Sequence, residues 1–506
     1  MSAKNGNGFL VGVLLIAAAQ HAGAQITIEG EIAFRSVLRN NNIDFTDRRT
    51  IPGTALVTGA DDDHFWDSQV NLIIGAALAG KISAVVDLQS QFVWGLDDTS
   101  TDQTNAVNTS NAARMEVREA YLEFQEFISP NVTMTVGLQE ISYDLRGNGN
   151  SFFLNTSERE NRRWIDSNTV FLNQPANAVA ISSAGFGFAP NSSTNLPTQV
   201  GDGQSSAAGA LKFVYDADPV FIDFFYAQLE ETFAARDDHW ITGLVIDYLL
   251  GEDSIIRGHF LYIKDEDSLT AAALADPVNI FTGGNIQMFQ AGLGVSYIFD
   301  MGNPLEVYGQ FGYQTGTYGD TLDLAGTRFA VDHSAVAFNI GLKYSWENVA
   351  YVPWIDLSYW FFSGDGDATD GDQEGWIPYG DVDDMLIFEE NHYGLGVGSG
   401  YSAIKLKTGF KPSEETDIGL RVALFQASED NFRRINGGAV QTLNYLDTIG
   451  QEFDLLFSWD YTEDVTFSAA AAFMAGEDFL DDAVDGGGAV DAANALRFDL
   501  GINARF

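Results

Sequence analysis

Lys405 and Lys407 stand two residues apart in Tyr401-Ser402-Ala403-Ile404-Lys405-Leu406-Lys407-Thr408, and Arg421 follows in Gly419-Leu420-Arg421-Val422. In a strand, side chains two apart point the same way. The two ammonium groups then share one polar face, and their fields add toward an anion. Alternation puts further bases on such faces: Arg35, Lys81, Arg114, Arg118, Lys212, Arg257, Lys343, Arg497 and Arg505. Basic rings of this kind select anions when they line a pore. The plainer reading is that they pair with carboxylates across strands and hold a wall together. Other chemistry is thin. His64, His239, His259, His333 and His392 occur singly, with no H-E-x-x-H, G-x-S-x-G or phosphate-loop pattern, and the chain has no Cys. Thiol catalysis, disulfides and Cys-ligated metals are thereby excluded, and no enzyme is expected.

A polar face of this kind needs strands, and the chain is patterned for them. It ends with Leu496, Phe498, Leu500, Ile502, Ala504 and Phe506 on one face and Arg497, Asp499, Gly501, Asn503 and Arg505 on the other. Alternating segments of about ten residues, the signature of transmembrane β-strands, recur eighteen times. They fall near 26–37, 66–79, 81–94, 113–126, 132–142, 208–216, 220–230, 238–250 and 254–264. The rest are near 287–299, 304–316, 334–347, 351–362, 400–411, 416–427, 450–461, 465–475 and 495–506. Short links, such as Gly80, Asp216-Ala217-Asp218-Pro219, Met301-Gly302-Asn303 and Thr462-Glu463-Asp464, alternate with long acidic, Gly-rich loops. The largest loops are 147–207 and 363–399.

Short periplasmic turns and long external loops are what a barrel threaded from the periplasm requires. Tyr297, Phe299, Tyr344, Trp346, Trp459, Tyr461 and Phe506 gather on apolar faces beside short turns, the level amphipathic rings prefer. The spacing predicts an all-β transmembrane antiparallel barrel of about 18 strands. Residues 164–183 hold material for two more. Segments 113–126 and 220–230 break the pattern because Glu119 and Asp223 share faces with apolar residues, as a bulge or shifted boundary would produce.

At the N-terminus, Lys4, the apolar run Phe9 to Ala19 and Ala22-Gly23-Ala24 form a secretory signal over 1–24. Residues 25–506 are then one barrel domain. No stretch is long and apolar enough for a membrane helix, so a membrane location demands a barrel. Without Lys4, 25 Lys and Arg face 71 Asp and Glu, a net charge near −46. That charge repels nucleic acid and anionic membrane surfaces. A salty habitat or divalent cations at the loops would each suit such acidity. Asp365, Asp367, Asp370, Asp372 and Glu374 offer hard oxygen ligands for Ca2+ among Gly bends. The run departs from an EF-hand at Thr369 and Asp370, and a solvated acidic loop is the simpler reading. No other cofactor is implied.

Two segments resemble the alginate-export outer-membrane barrels, a porin-like family. One is Val117-Arg118-Glu119-Ala120-Tyr121-Leu122-Glu123-Phe124 followed by Val136-Gly137-Leu138-Gln139-Glu140-Ile141-Ser142-Tyr143-Asp144, similar to the family's R-x-A-Y strand and G-R-Q strand end. Leu138 stands where the family usually has Arg, so no anion contact carries over to that position. The other is Ser363-Gly364-Asp365-Gly366-Asp367-Ala368-Thr369-Asp370-Gly371-Asp372, similar to its S-G-D-rich loop. The resemblance implies an eighteen-stranded barrel with a basic pore for an acidic polysaccharide.

The expected protein is an outer-membrane channel of a Gram-negative-type bacterium, passing anionic sugars or an acidic polysaccharide by diffusion. Its expected partners are outer-membrane lipid, the anionic saccharide and the barrel-assembly machinery, which reads the strand ending on Phe506. A general porin with weak cation preference is the alternative, followed by an outer-membrane enzyme or a plugged structural barrel. Loop 147–207, with Arg159, Arg162 and Arg163, is expected to fold inward or cover the mouth.

Overall fold

The computed structural model describes residues 25–40, 48–49, 57–58, 63–93 save 79, 116–147, 153–154, 208–230, 239–265 save 252, 286–322, 328–364, 372–377, 379, 384–389, 400–428, 431–436, 439–444, 448–476 and 494–506. Eighteen strands form the wall. The first six are β1 (Gln25–Asn40), β2 (Asp63–Ala77), β3 (Ile82–Val93), β4 (Glu116–Phe124), β5 (Val132–Gln139) and β6 (Ala208–Ala217). Then come β7 (Val220–Glu230), β8 (His239–Leu249), β9 (Ile255–Asp265), β10 (Ile286–Asp300), β11 (Pro304–Leu322) and β12 (Arg328–Ser345). The last six are β13 (Trp354–Phe362), β14 (Tyr401–Ser413), β15 (Thr416–Ala427), β16 (Thr448–Thr462), β17 (Val465–Gly476) and β18 (Ala495–Arg505). Each pairs antiparallel with the next, and β18 returns to β1 with Arg505 opposite Glu31 and Leu496 opposite Asn40. Closure leaves no free edge, the condition for a sheet in lipid.

The seam is finished by the last residue. The Phe506 and Gly30 backbones exchange two 2.9 Å hydrogen bonds, and the Phe506 ring lies where a Cβ on Gly30 would stand. Only a glycine leaves that space.

The outer face is apolar: Leu244, Ile246 and Tyr248 on β8, Ile340 and Leu342 on β12, and Leu496, Phe498, Leu500 and Ile502 on β18 are all exposed. Aromatic pairs mark its turn end, with Tyr297–Phe299 at 4.6 Å, Tyr344–Trp346 at 4.7 Å and Trp459–Tyr461 at 5.4 Å between ring centres.

Both irregular segments have physical causes. On β4 the register against β3 shifts between Asp87 opposite Glu119 and Leu88 opposite Val117, so Arg118 is the extra residue of a bulge. On β7, Asp223 does share its face with Phe225 and Ala227, but that face is the lumen, and its apolar residues are covered from inside. Residues 164–183 lie outside the described residues, as do residues 1–24, where a signal is expected, and Arg159, Arg162 and Arg163.

The apolar lumen residues of the wall are covered by the beginning of loop 140–207 and part of loop 363–400. Ile141, Tyr143 and Leu154 pack on Ala208, Ala210, Phe225, Ile241, Val245 and Leu261. Trp376, Met385, Ile387 and Phe388 pack on Ala337, Trp360, Phe362, Tyr401, Ala403 and Phe425. The barrel thus has an apolar core inside its lumen, toward the loop end.

Candidate functional site

A row of charges crosses the lumen wall. Glu306 on β11 stands opposite Lys343 on β12, Lys343 opposite Asp356 on β13, and Asp356 opposite Lys407 on β14. Lys407 stands opposite Arg421 on β15, and Arg421 opposite Asp454 on β16. Ala472 on β17 then leads to Arg497 on β18. Successive strands present these residues at one level because each occupies a lumen-facing position in register.

Two inward segments meet this row, each with the charge opposite to the stretch it touches. Arg146 lies against the acidic part. Its guanidinium grips Glu306 through two 2.8 Å bonds and reaches Asp356 at 3.0 Å. It also stacks 3.5 Å above the Tyr308 ring, whose hydroxyl donates to Asp356 at 2.6 Å. A planar fork suits this bidentate contact. Burial alone lowers the pKa of Arg146, but the bonds to Glu306 outweigh it and raise the value above normal.

Residues 384–389 lie against the basic part. Lys407 Nζ donates to Asp384 Oδ1 at 2.9 Å, and Lys405 Nζ lies 3.5 Å from Asp384 Oδ2 and 2.7 Å from Glu389 Oε2. The Tyr401 hydroxyl donates to Glu389 at 2.8 Å. Arg421 and Arg497 donate to the Asp384 and Leu386 carbonyls at 2.5 and 2.9 Å. The backbone N–H groups of Ile387 and Phe388 donate to Glu452 at 2.6 and 2.9 Å, and that of Leu386 to Asp454 at 3.1 Å. Four wall strands clasp six residues. Burial pushes the Asp384 carboxyl upward in pKa, yet Lys407 and Lys405 prevail and hold it well below the ordinary range.

A third contact lies above β6–β9. The Tyr143 hydroxyl donates to Asp223 at 3.1 Å, Lys212 Nζ is 2.9 Å from the same carboxylate, and Arg257 forms a bidentate pair with Asp247 at 2.7 and 2.8 Å. Burial, then Asp223, raises the Tyr143 pKa, keeping the phenol neutral. On the turn side the lumen keeps a cavity of about 440 Å3 lined by Arg35, Asp417, Ser458, Ser468, Asp499 and Asn503 among others.

The bases read from the sequence divide accordingly. Lys343, Lys405, Lys407, Arg421 and Arg497 meet at the charged row. Arg35 pairs with Asp67 at 2.7 Å, Arg118 with Asp87 at 3.3 Å and Glu140 at 3.4 Å, and Arg497 also with Asp499 at 2.6 Å. Lys81 is corrected: β3 begins at Ile82, so Lys81 belongs to the turn, half-exposed beside Glu126. Arg505 sits at the turn end, 3.7 Å from Glu31, and Arg114 lies outside the described residues. Asp365, Asp367 and Asp370 do too. Asp372 pairs with Asp332 in a short parallel rung, Glu374 contributes a carbonyl to Ser363, and no metal-sized group of acids and histidines gathers among the described residues.

The sequence reading missed Arg146, Asp384 and Glu389. One signal was available: Met385-Leu386-Ile387-Phe388 is an apolar run inside an acidic loop. His259 and His333 are wall residues. His259 Nε2 is 3.3 Å from Gln290 and His333 Nε2 is 3.2 Å from Gln314, which exchanges 2.7 and 2.9 Å bonds with the Ile377 backbone.

The residues that resemble a family motif also have local reasons. Gly137 stands opposite Tyr121 at φ +135°, and a Cβ there would collide with the Ala120 carbonyl and sit 2.7 Å from Tyr121 Cα. Ser363 accepts the loop back: its carbonyl takes N–H bonds from Trp376 at 2.9 Å and Gly400 at 3.1 Å.

A closed eighteen-strand barrel with an apolar belt and a charged lumen defines an outer-membrane channel of the Gram-negative type. The family model for alginate export matches residues 225–488, and the chain belongs to that family. Among solved structures it is similar to Pseudomonas aeruginosa OccK11 (OpdR), at 11% identity over 95% of this chain and 96% of that one, with a TM-score of 0.48. OccK8 (OprE) from the same organism is 9% identical over 95% and 98%, TM-score 0.48, and OpdK with vanillate is 8% identical over 95% and 98%, TM-score 0.47. No curated sequence matches the chain.

Proposed function

We propose that this protein is a passive channel for anionic sugars or an acidic polysaccharide. The observation that carries the reading is Lys407 and Arg421 in register on the lumen wall, with Lys405 two residues along the same strand, in a chain whose net charge is −45. Membership of the alginate-export family supports the substrate class. The other lumen bases, Arg35, Arg118, Lys212, Arg257, Lys343 and Arg497, extend the path, with Arg505 at its turn end. Fields of acids more distant than about 8 Å from these bases are screened at physiological ionic strength. The barrel turns over no substrate in this reading. Its first 24 residues are a cleaved signal, and its Phe506 strand is what the assembly machinery engages.

Anion preference is therefore expected in planar bilayers. Changing Lys405, Lys407 and Arg421 together to Gln reduces or inverts the reversal potential and weakens block by an acidic oligosaccharide more than by a neutral one. Cation selectivity in the unmutated protein would overturn the polyuronate reading.

The pairing of Arg35, Arg118, Lys212 and Arg257 with carboxylates favours a second reading, a general porin with weak cation preference. That protein would show equal block by acidic and neutral oligosaccharides of one length.

A further inference from the structure

Residues 384–389 contribute no strand to the barrel wall. They are nevertheless bonded to four wall strands. Both of their carboxylates meet Lys405: Asp384 bonds to Lys407 and Lys405, and Glu389 to Lys405 and the Tyr401 hydroxyl. Lys405 is fully buried beneath them and lies 4.4 Å from the Trp360 ring. The other wall charges nearby hydrogen-bond to the segment's backbone rather than to its carboxylates. Arg497 is paired with Asp499, and Arg421 donates to the Asp384 carbonyl. The two lysines are thus the part of the wall that the segment neutralises.

We infer that Lys405, Lys407 and Tyr401 form a carboxylate-binding site that the chain fills with its own Asp384 and Glu389, so the segment is a built-in mimic of the acidic saccharide. The inference rests on the reading of the pore as a path for acidic sugars and adds how that path is kept shut. The mimicry extends beyond charge. Glu452 and Asp454 accept three successive backbone N–H groups, and Arg421 and Arg497 donate to two carbonyls. Hydroxyls of a sugar chain donate and accept in the same way. The apolar faces of Met385, Ile387 and Phe388 rest on rings such as Phe425, 4.2 Å from Phe388, and Tyr401, 5.2 Å away.

A tethered ligand acts at an effective concentration of about millimolar. A single uronate therefore competes poorly, whereas an oligouronate presents several linked carboxylates and exchanges with both at once. Release also separates the segment from two lysines that repel each other when bare, so an incoming polyanion is favoured over an empty site.

The test is made on the full chain in planar bilayers, with tetragalacturonate, monogalacturonate and maltotetraose as probes. Asp384→Asn with Glu389→Gln removes both charges while keeping the shapes. The double variant is expected to raise basal conductance several-fold and to strengthen tetragalacturonate binding about tenfold, since an apparent affinity is reduced by the fraction of sites that are competent. Monogalacturonate stays weak and maltotetraose is unchanged. Leu386→Pro, which removes the N–H donated to Asp454 and leaves both carboxylates, provides a second variant; it is expected to act in the same direction. Higher conductance without tighter tetragalacturonate binding would make the segment an ordinary plug and overturn the inference, as would no change in either variant. If tetragalacturonate fails to bind both the unmutated and the variant channels, the acidic-sugar reading itself fails. Tight binding unaltered by either variant leaves that reading standing and removes only the mimic.

Discussion

Arg146 illustrates how much one side chain decides in this lumen. It neutralises Glu306 and Asp356 together, and both carboxylates lie within a few residues of the lysines that would attract an anion. Breaking such a buried pair from one side typically costs about 3–5 kcal/mol. Part of that cost is avoided here if water enters. Arg146→Met is expected to shift permeability toward cations, read as a reversal potential in a salt gradient, while the heat-modifiable barrel still forms. An unchanged reversal potential would mean that Glu306 and Asp356 do not face the ion path.

Asp384 carries the complementary prediction in pH. Its carboxyl pKa is lowered on folding from an ordinary value of 3.8. A group of this kind contributes its full stabilisation above the ordinary value and loses it as pH falls toward the lowered one. Residues 384–389 are therefore expected to stay docked at pH 5 and above. Conductance should rise only once the pH drops below about 4, the unperturbed Asp range. A rise centred near neutrality would assign the latch to other groups.

At the scale of elements, the seam between β1 and β18 is the part most exposed to a single change. Phe506 supplies two backbone hydrogen bonds and a ring lying on Gly30. Phe506→Ala keeps the first and removes the second. The folded, heat-modifiable fraction in the outer membrane should fall while signal cleavage is unaffected. Undiminished folded yield would show that closure does not depend on this ring. The bulge at Arg118 and the close approach of Gly137 to β4 are likewise single-residue features of the wall.

For the whole molecule, the alternation of connections fixes which end is which. Eight short turns lie on one end and the long connections on the other, with both Gln25 and Phe506 at the turn end. The absence of Cys makes labelling clean. Cysteines at Asp61, Asp370 and Asp485 should react with an impermeant reagent on intact cells, and those at Pro130, Gly302 and Glu414 should not. Reaction of the second set would invert the threading.

The strand count, the sorting of turns from loops and the outer and inner faces were all legible in the sequence. Period two is a local property of the chain, and lipid accepts only apolar side chains along the whole outer face. The same rule gives no reason for Phe225, Ile241 and Phe425 to be buried, because it cannot register what else occupies the lumen. It found Lys405, Lys407 and Arg421 but not their partners. Arg146 meets Asp356 across 210 positions, and Asn503 meets Glu31 across 472. Such contacts are set by closure of the barrel and by the path of inward segments, which have no period to read. The sequence determined a basic, lumen-facing wall; the tertiary structure decided that the chain's own carboxylates sit on it.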